Sequence, residues 1–137
     1  CTQEFQETRS VAFEISGNDP EKLKEISTHL LDRIMKYRSA ADALNAARAL
    51  AYVTDPVAAP FQKQALVSTD TVDTNLIDSL RRIGSAQSAE VLMDAVRDKP
   101  SAEWVSDARW SLASISSATN DLGLKRRITE FLGSSKP

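Results

Sequence analysis

From Asp19 onward the apolar residues recur three or four positions apart, a spacing that predicts a succession of amphipathic helices. Leu23, Ile26, Leu30, Ile34 and Tyr37 form the first stripe. Asp19 and Pro20 stand where that helix should begin: a carboxylate accepts the free amide hydrogens of the first turn, and the missing N–H of proline is no loss there. Ser39, with Asp42 three residues on, has the form of a capping box and opens a second helix through Leu44, Ala47, Leu50 and Val53. Its many alanines predict close packing. Asp55-Pro56 repeats the start signal, but Pro60 would remove a hydrogen bond from a helix already running at Pro56. A short turn followed by a helix from about Ala59 is therefore expected, with Phe61, Ala65 and Leu66 as its apolar residues. Val72, Leu76, Leu80 and Ile83 make the cleanest stripe. Asp70 and Asp73 near its start and Arg81 and Arg82 in its last turn suit the helix dipole, and Gly84 supplies the stop. Further helices are expected over residues 87–98, 102–116 and 120–132, the first ending before Pro100. Val11 to Ile15 alternates enough for a strand, but a lone strand has no partner, so this segment reads as tether or an extra helical turn.

The stripes repeat. A shift of 30 residues lays Leu50 on Leu80, Val53 on Ile83, Ala65 on Ala95 and Leu66 on Val96. A shift of 32 then lays Val72 on Trp104, Leu80 on Leu112, Ile83 on Ile115, Leu92 on Leu124 and Val96 on Ile128. Such a period means stacked helical hairpins, none able to bury its apolar face alone, with the first helix as an unpaired second half at one end. The residues Leu50-Ala-Tyr-Val53-Thr-Asp55-Pro56 through Ala65-Leu66, and Leu80-Arg-Arg-Ile83-Gly84-Ser85 through Ala95-Val96, resemble the short HEAT-like repeats of the PBS-lyase type. The resemblance covers residues 19–132, although the third copy keeps only the apolar positions. It implies an all-α, right-handed α-solenoid of about seven helices, whose second helices line a concave face that holds protein partners. An irregular helical bundle is the alternative that the same stripes allow. The expected organisation is a tether over residues 1–18, the repeat domain over 19–132 and a tail over 133–137.

Composition supports a helical domain and removes several chemistries. Of the 137 residues 42% are hydrophobic, with only four Gly and five Pro, unlike a disordered chain or a turn-rich β domain. The longest apolar run, Ala49 to Val53, is far too short to cross a bilayer as a helix. Seventeen Lys and Arg against 19 Asp and Glu leave a net charge of −2, which disfavours a dominant nucleic-acid surface. The basic pieces Arg81-Arg82 and Lys125-Arg126-Arg127 are interspersed with acids, so no nucleic-acid partner is expected. The single histidine, His29, has no ligand cluster around it in sequence, and neither a nucleophile elbow nor a glycine-rich phosphate loop is present. No metal, cofactor or catalytic residue is expected, and the reading is non-enzymatic.

The only cysteine is Cys1. Its position, followed by the mostly polar stretch Thr2 to Ser10, resembles the mature start of a bacterial lipoprotein, in which the cysteine sulfur carries diacylglycerol. In that resemblance Thr2, in place of an Asp, points to the outer membrane, with the domain on the periplasmic side. A trimmed end or an added ligation residue gives the same first letter. Acyl chains contribute about 0.8 kcal/mol per buried methylene, so lipid on Cys1 would be a lasting tether.

Among the aromatics, Trp104 aligns with core Val72 and is expected inside, whereas Trp110 aligns with polar Arg48 and Asp78 and is expected outside. Exposed tryptophan is enriched at protein-binding hot spots. On the second helices Lys22, Glu25, Asp32, Gln62, Lys63, Glu90, Met93, Asp94, Arg97, Lys125 and Glu130 are expected to point outward. Trp110, Met93, Arg97, Lys63 and Glu90 are the candidate partner-binding residues. The resulting expectation is a module that recognises another protein, in assembly of an envelope or secretion complex. A cytoplasmic scaffold, an immunity protein and a ligand-holding accessory subunit are the alternatives.

Overall fold

The computed structural model describes residues 19–36, 39–68 and 73–134. Cys1, the rest of the expected tether with Val11 to Ile15, Tyr37, Asp70, Val72 and residues 135–137 lie outside the described residues. Within them the chain is all-α, with seven α-helices. These are α1 (Pro20–Met35), α2 (Ala40–Ala51), α3 (Ala59–Ser68), α4 (Asp73–Ile83), α5 (Ala86–Asp98), α6 (Val105–Ala118) and α7 (Leu122–Ser134). A 3-10 turn, Pro56–Ala58, leads into α3. None of these helices is long and apolar enough to cross a membrane.

Local chemistry places the boundaries. Asp19 Oδ1 accepts hydrogen bonds from the Glu21 and Lys22 amides at 3.1 and 3.2 Å, ahead of Pro20 in the first turn. The Ser39 hydroxyl accepts from the Asp42 amide at 3.2 Å and opens α2. Asp55 Oδ1 accepts from the Val57 amide at 2.9 Å, and the tight turn it caps lets α3 start at Ala59, so that Pro60 falls where no intrahelical N–H is needed. Gly84 ends α4 with φ of 62°, a left-handed conformation, while its N–H reaches the Leu80 carbonyl at 2.9 Å.

Two starts differ from expectation by more than one residue. Helix α6 begins at Val105 instead of Ala102, because residues 99–105 close short i→i+3 turns, Ala102 N to Lys99 O and Val105 N to Ala102 O. Helix α7 begins at Leu122 instead of Asn120: Asp121 provides the cap, its Oδ1 accepting from the Leu124 amide at 3.0 Å. The same helix runs on to Ser134, past Leu132, where the tail was expected to begin.

Each helix packs against its neighbour in sequence, and contacts also skip one helix: α2 meets α4 and α4 meets α6, while α1 meets α3, α3 meets α5 and α5 meets α7. The aligned leucines Leu50, Leu80 and Leu112 are each 0% exposed, one on each of α2, α4 and α6. On the other helices Leu66, Val96 and Ile128 are likewise buried. Helix α2 buries Ala43, Ala46, Ala47, Ala49 and Ala51, which brings its backbone close to its neighbours. Trp104 is buried, as the repeat predicts.

Two polar features lie inside. Arg33 and Asp42, both largely buried, form an ion pair that ties α1 to α2. Ser27, fully buried on α1, has a hydroxyl oxygen with no hydrogen-bond partner among the described residues. Replacing Leu80 by Ala is expected to cost about 2–5 kcal/mol through lost contact and an unfilled cavity, as measured by urea denaturation. In the same assay Ser27→Ala is expected to leave stability unchanged or raise it by up to about 1 kcal/mol, because it deletes an unsatisfied buried hydroxyl.

Candidate partner-binding surface

The first turns of α3 and α5 approach one another through small or rigid side chains. Ala59, Pro60 and Pro56 leave space on one wall, and Ala86 and Val91 leave it on the other, so the two helices enclose an open groove of about 510 Å³. Lys63 continues the α3 wall one turn on from Ala59 and Pro60. Ala86, Glu90 and Asp94, four residues apart along α5, continue the opposite wall beside Gln87 and Val91.

A buried amide network fixes the groove from beneath. Gln62, only 1% exposed, donates through Nε2 to the carbonyls of Leu50 and Val53 at 2.9 and 3.0 Å. Those carbonyls stand at the end of α2, where Leu50 O also accepts from the Val53 amide at 3.1 Å. Gln87 Nε2 donates to the same Val53 carbonyl at 3.4 Å and to Gln62 Oε1 at 3.3 Å. Two side-chain amides thereby join the end of α2 to both groove walls. Gln87 Oε1 is buried with no donor among the described residues.

The charges on the α5 wall are matched within the molecule. Glu90 accepts from Arg127 Nε on α7 at 3.1 Å, and Asp94 from Arg97 at 2.9 Å. The Arg97 guanidinium also lies 5.0 Å from the centre of the Phe131 ring. Lys63, half-buried on the opposite wall, makes no ion pair among the described residues.

The candidate residues therefore separate. Lys63 and Glu90 share the groove, and Arg97 stands beside it through Asp94. Met93 does not belong to any surface: it is 1% exposed, which corrects the expectation that it points outward. Gln62 is corrected in the same way. The signal was present, since Met93 follows Ala89 by four and precedes Val96 by three, while Gln62 precedes Ala65 and Leu66 by three and four, all on core stripes. Lys22, Glu25, Asp32, Asp94, Arg97 and Glu130 are exposed, and Lys125 is half-buried.

Trp110 is exposed, at 63%, but it lies on α6 away from the groove residues, lining a smaller pocket of about 140 Å³ with Thr74, Asp78, Arg81 and Asp107. The Arg81 guanidinium, ion-paired with Asp78, sits 5.1 Å from the centre of the Trp110 ring. Arg82 bonds the same Asp78 at 3.0 Å. His29 is exposed, and among the described residues no group of three His, Cys, Asp or Glu side chains is placed to hold a metal ion. Comparison with protein-family models, curated proteins and solved structures returns no match to this chain.

Gln62→Leu keeps side-chain bulk but leaves the Leu50 carbonyl without its side-chain donor, so a loss of about 1–3 kcal/mol in urea unfolding is expected. A matching rise in amide exchange along the first turns of α3 and α5 is the accompanying signature.

Proposed function

We propose that this chain is a non-enzymatic protein-recognition module built from HEAT-like helical hairpins, with the α3–α5 groove as its docking site. The solenoid reading is supported by the alternating contacts, in which α2, α4 and α6 follow one another while α1, α3, α5 and α7 do the same. It is supported again by the identical burial of Leu50, Leu80 and Leu112. In that reading α3 and α5 are second helices, the ones that line the concave face.

The observation that carries the functional reading is the groove itself. An open apolar trough with charged rims, held rigid from below by Gln62 and Gln87, binds without reorganising its walls, so little conformational entropy is lost on docking. Arg97 at its edge belongs to the same surface. Trp110, stacked with Arg81, would form a separate contact on α6.

Membrane attachment through lipid on Cys1, on the periplasmic side and in the outer membrane, is proposed alongside, on the strength of the cysteine and the polar stretch after it. The module would then assist assembly of an envelope or secretion complex from a fixed position. Metabolic labelling with an alkyne fatty acid tests this: label that persists in Cys1→Ser counts against it.

Docking is tested by placing a photo-crosslinking amino acid at Lys63, Glu90 or Trp110 in the expressed protein and identifying the adducts by mass spectrometry. One protein captured from both position 63 and position 90, and lost when Ala86→Trp fills the groove, is the expected result. Adducts from neither groove position would refute the assignment of the site.

A further inference from the structure

Building on the docking site proposed above, the charges around the groove point to the chemistry of its occupant. We propose that the α3–α5 groove takes an acidic segment of a partner protein, with an aliphatic or aromatic side chain against Pro56, Pro60 and Val91 and a neighbouring Asp or Glu on Lys63.

Charge complementarity decides the sign. Both carboxylates of the α5 wall already have arginines, Arg127 on Glu90 and Arg97 on Asp94. A basic segment gains less there, because the charge of each carboxylate is already shared with an arginine. Lys63 has no such partner among the described residues, so a carboxylate arriving there meets an unmatched ammonium. The groove also runs past the first turns of both helices, at Ala59 and Pro60 on α3 and at Ala86 and Gln87 on α5. Helix N-termini carry partial positive charge, which adds to the preference for an anion.

The remaining features select a polypeptide. A volume of about 510 Å³ holds an apolar side chain together with part of its backbone. Pro56, Pro60 and Val91 are apolar and Lys63 stands among them in the lining, which suits a segment carrying an apolar side chain beside a carboxylate over a bare hydrocarbon tail.

The test is selection of a phage-displayed random peptide library on the full chain, repeated on Lys63→Glu. Peptides that pair an apolar anchor with Asp or Glu are expected from the unmodified protein, and peptides carrying Lys or Arg in that place from Lys63→Glu. A synthetic peptide with the selected acidic sequence should bind about tenfold more weakly to Lys63→Glu, with a smaller loss for Lys63→Gln, and not at all to Ala86→Trp. Unchanged circular dichroism and melting confirm that each variant is folded.

Failure to enrich any sequence, a basic or uncharged consensus on the unmodified protein, or an acidic consensus indifferent to both Lys63 substitutions overturns the proposal. So does competition by a synthetic peptide of residues 1–18, which makes this chain its own ligand. A protein adduct at positions 63 and 90 combined with a basic consensus overturns the charge assignment alone and leaves the docking site standing.

Discussion

The structure depends on one constraint: none of the seven described helices buries its apolar stripe against a single neighbour. Each is short, and its stripe is wide enough to need contact both with the helix next in sequence and with the helix after that. Leu50, Leu80 and Leu112 meet that demand in the same way on α2, α4 and α6, and full burial of such a side chain contributes about 1.5–3 kcal/mol. The buried side chains of successive helices thereby join into one apolar cluster, and the faces that take no part in these contacts remain available.

What those faces can do follows from how the polar groups are disposed. The α3–α5 groove exists because Pro56, Ala59 and Pro60 lead into α3 and Ala86 begins α5, and it keeps its shape because Gln62 and Gln87 supply hydrogen bonds to the end of α2. A buried amide network of this kind is costly to disrupt, so it holds the two walls in a fixed relation. Glu90 and Asp94 stand on the rim with their charges already neutralised, which leaves Lys63 to set the electrostatic preference. The contact of Trp110 on α6 with Arg81 on α4 obeys different logic: the guanidinium is paired with Asp78, and the ring gives area more than polarity.

Most of the helical framework was legible from the residues alone. Asp19, Ser39 and Asp55 act within a turn or so of their own positions, so the sequence exposes them directly, and so does the stop at Gly84. The starts of α6 and α7 were less legible, because the tight turns after Lys99 and the choice of Asp121 over Asn120 depend on small differences between neighbouring hydrogen bonds. Of the candidate surface, Lys63 and Glu90 line the groove, while Met93 and Gln62 were misplaced although each stands three or four residues from buried positions on its own helix.

The sequence by itself determined where most of the helices begin, where their apolar stripes lie and which leucines correspond, because capping and periodicity act over distances of a few residues. Only the tertiary structure decided that the buried Gln62 serves the Leu50 and Val53 carbonyls, that Arg33 pairs with Asp42, and that Arg127 crosses from α7 to Glu90. These contacts join groups distant along the chain, and each depends on the separation and rotation of two helices. That geometry is set by the whole set of packed side chains, so no local pattern encodes it.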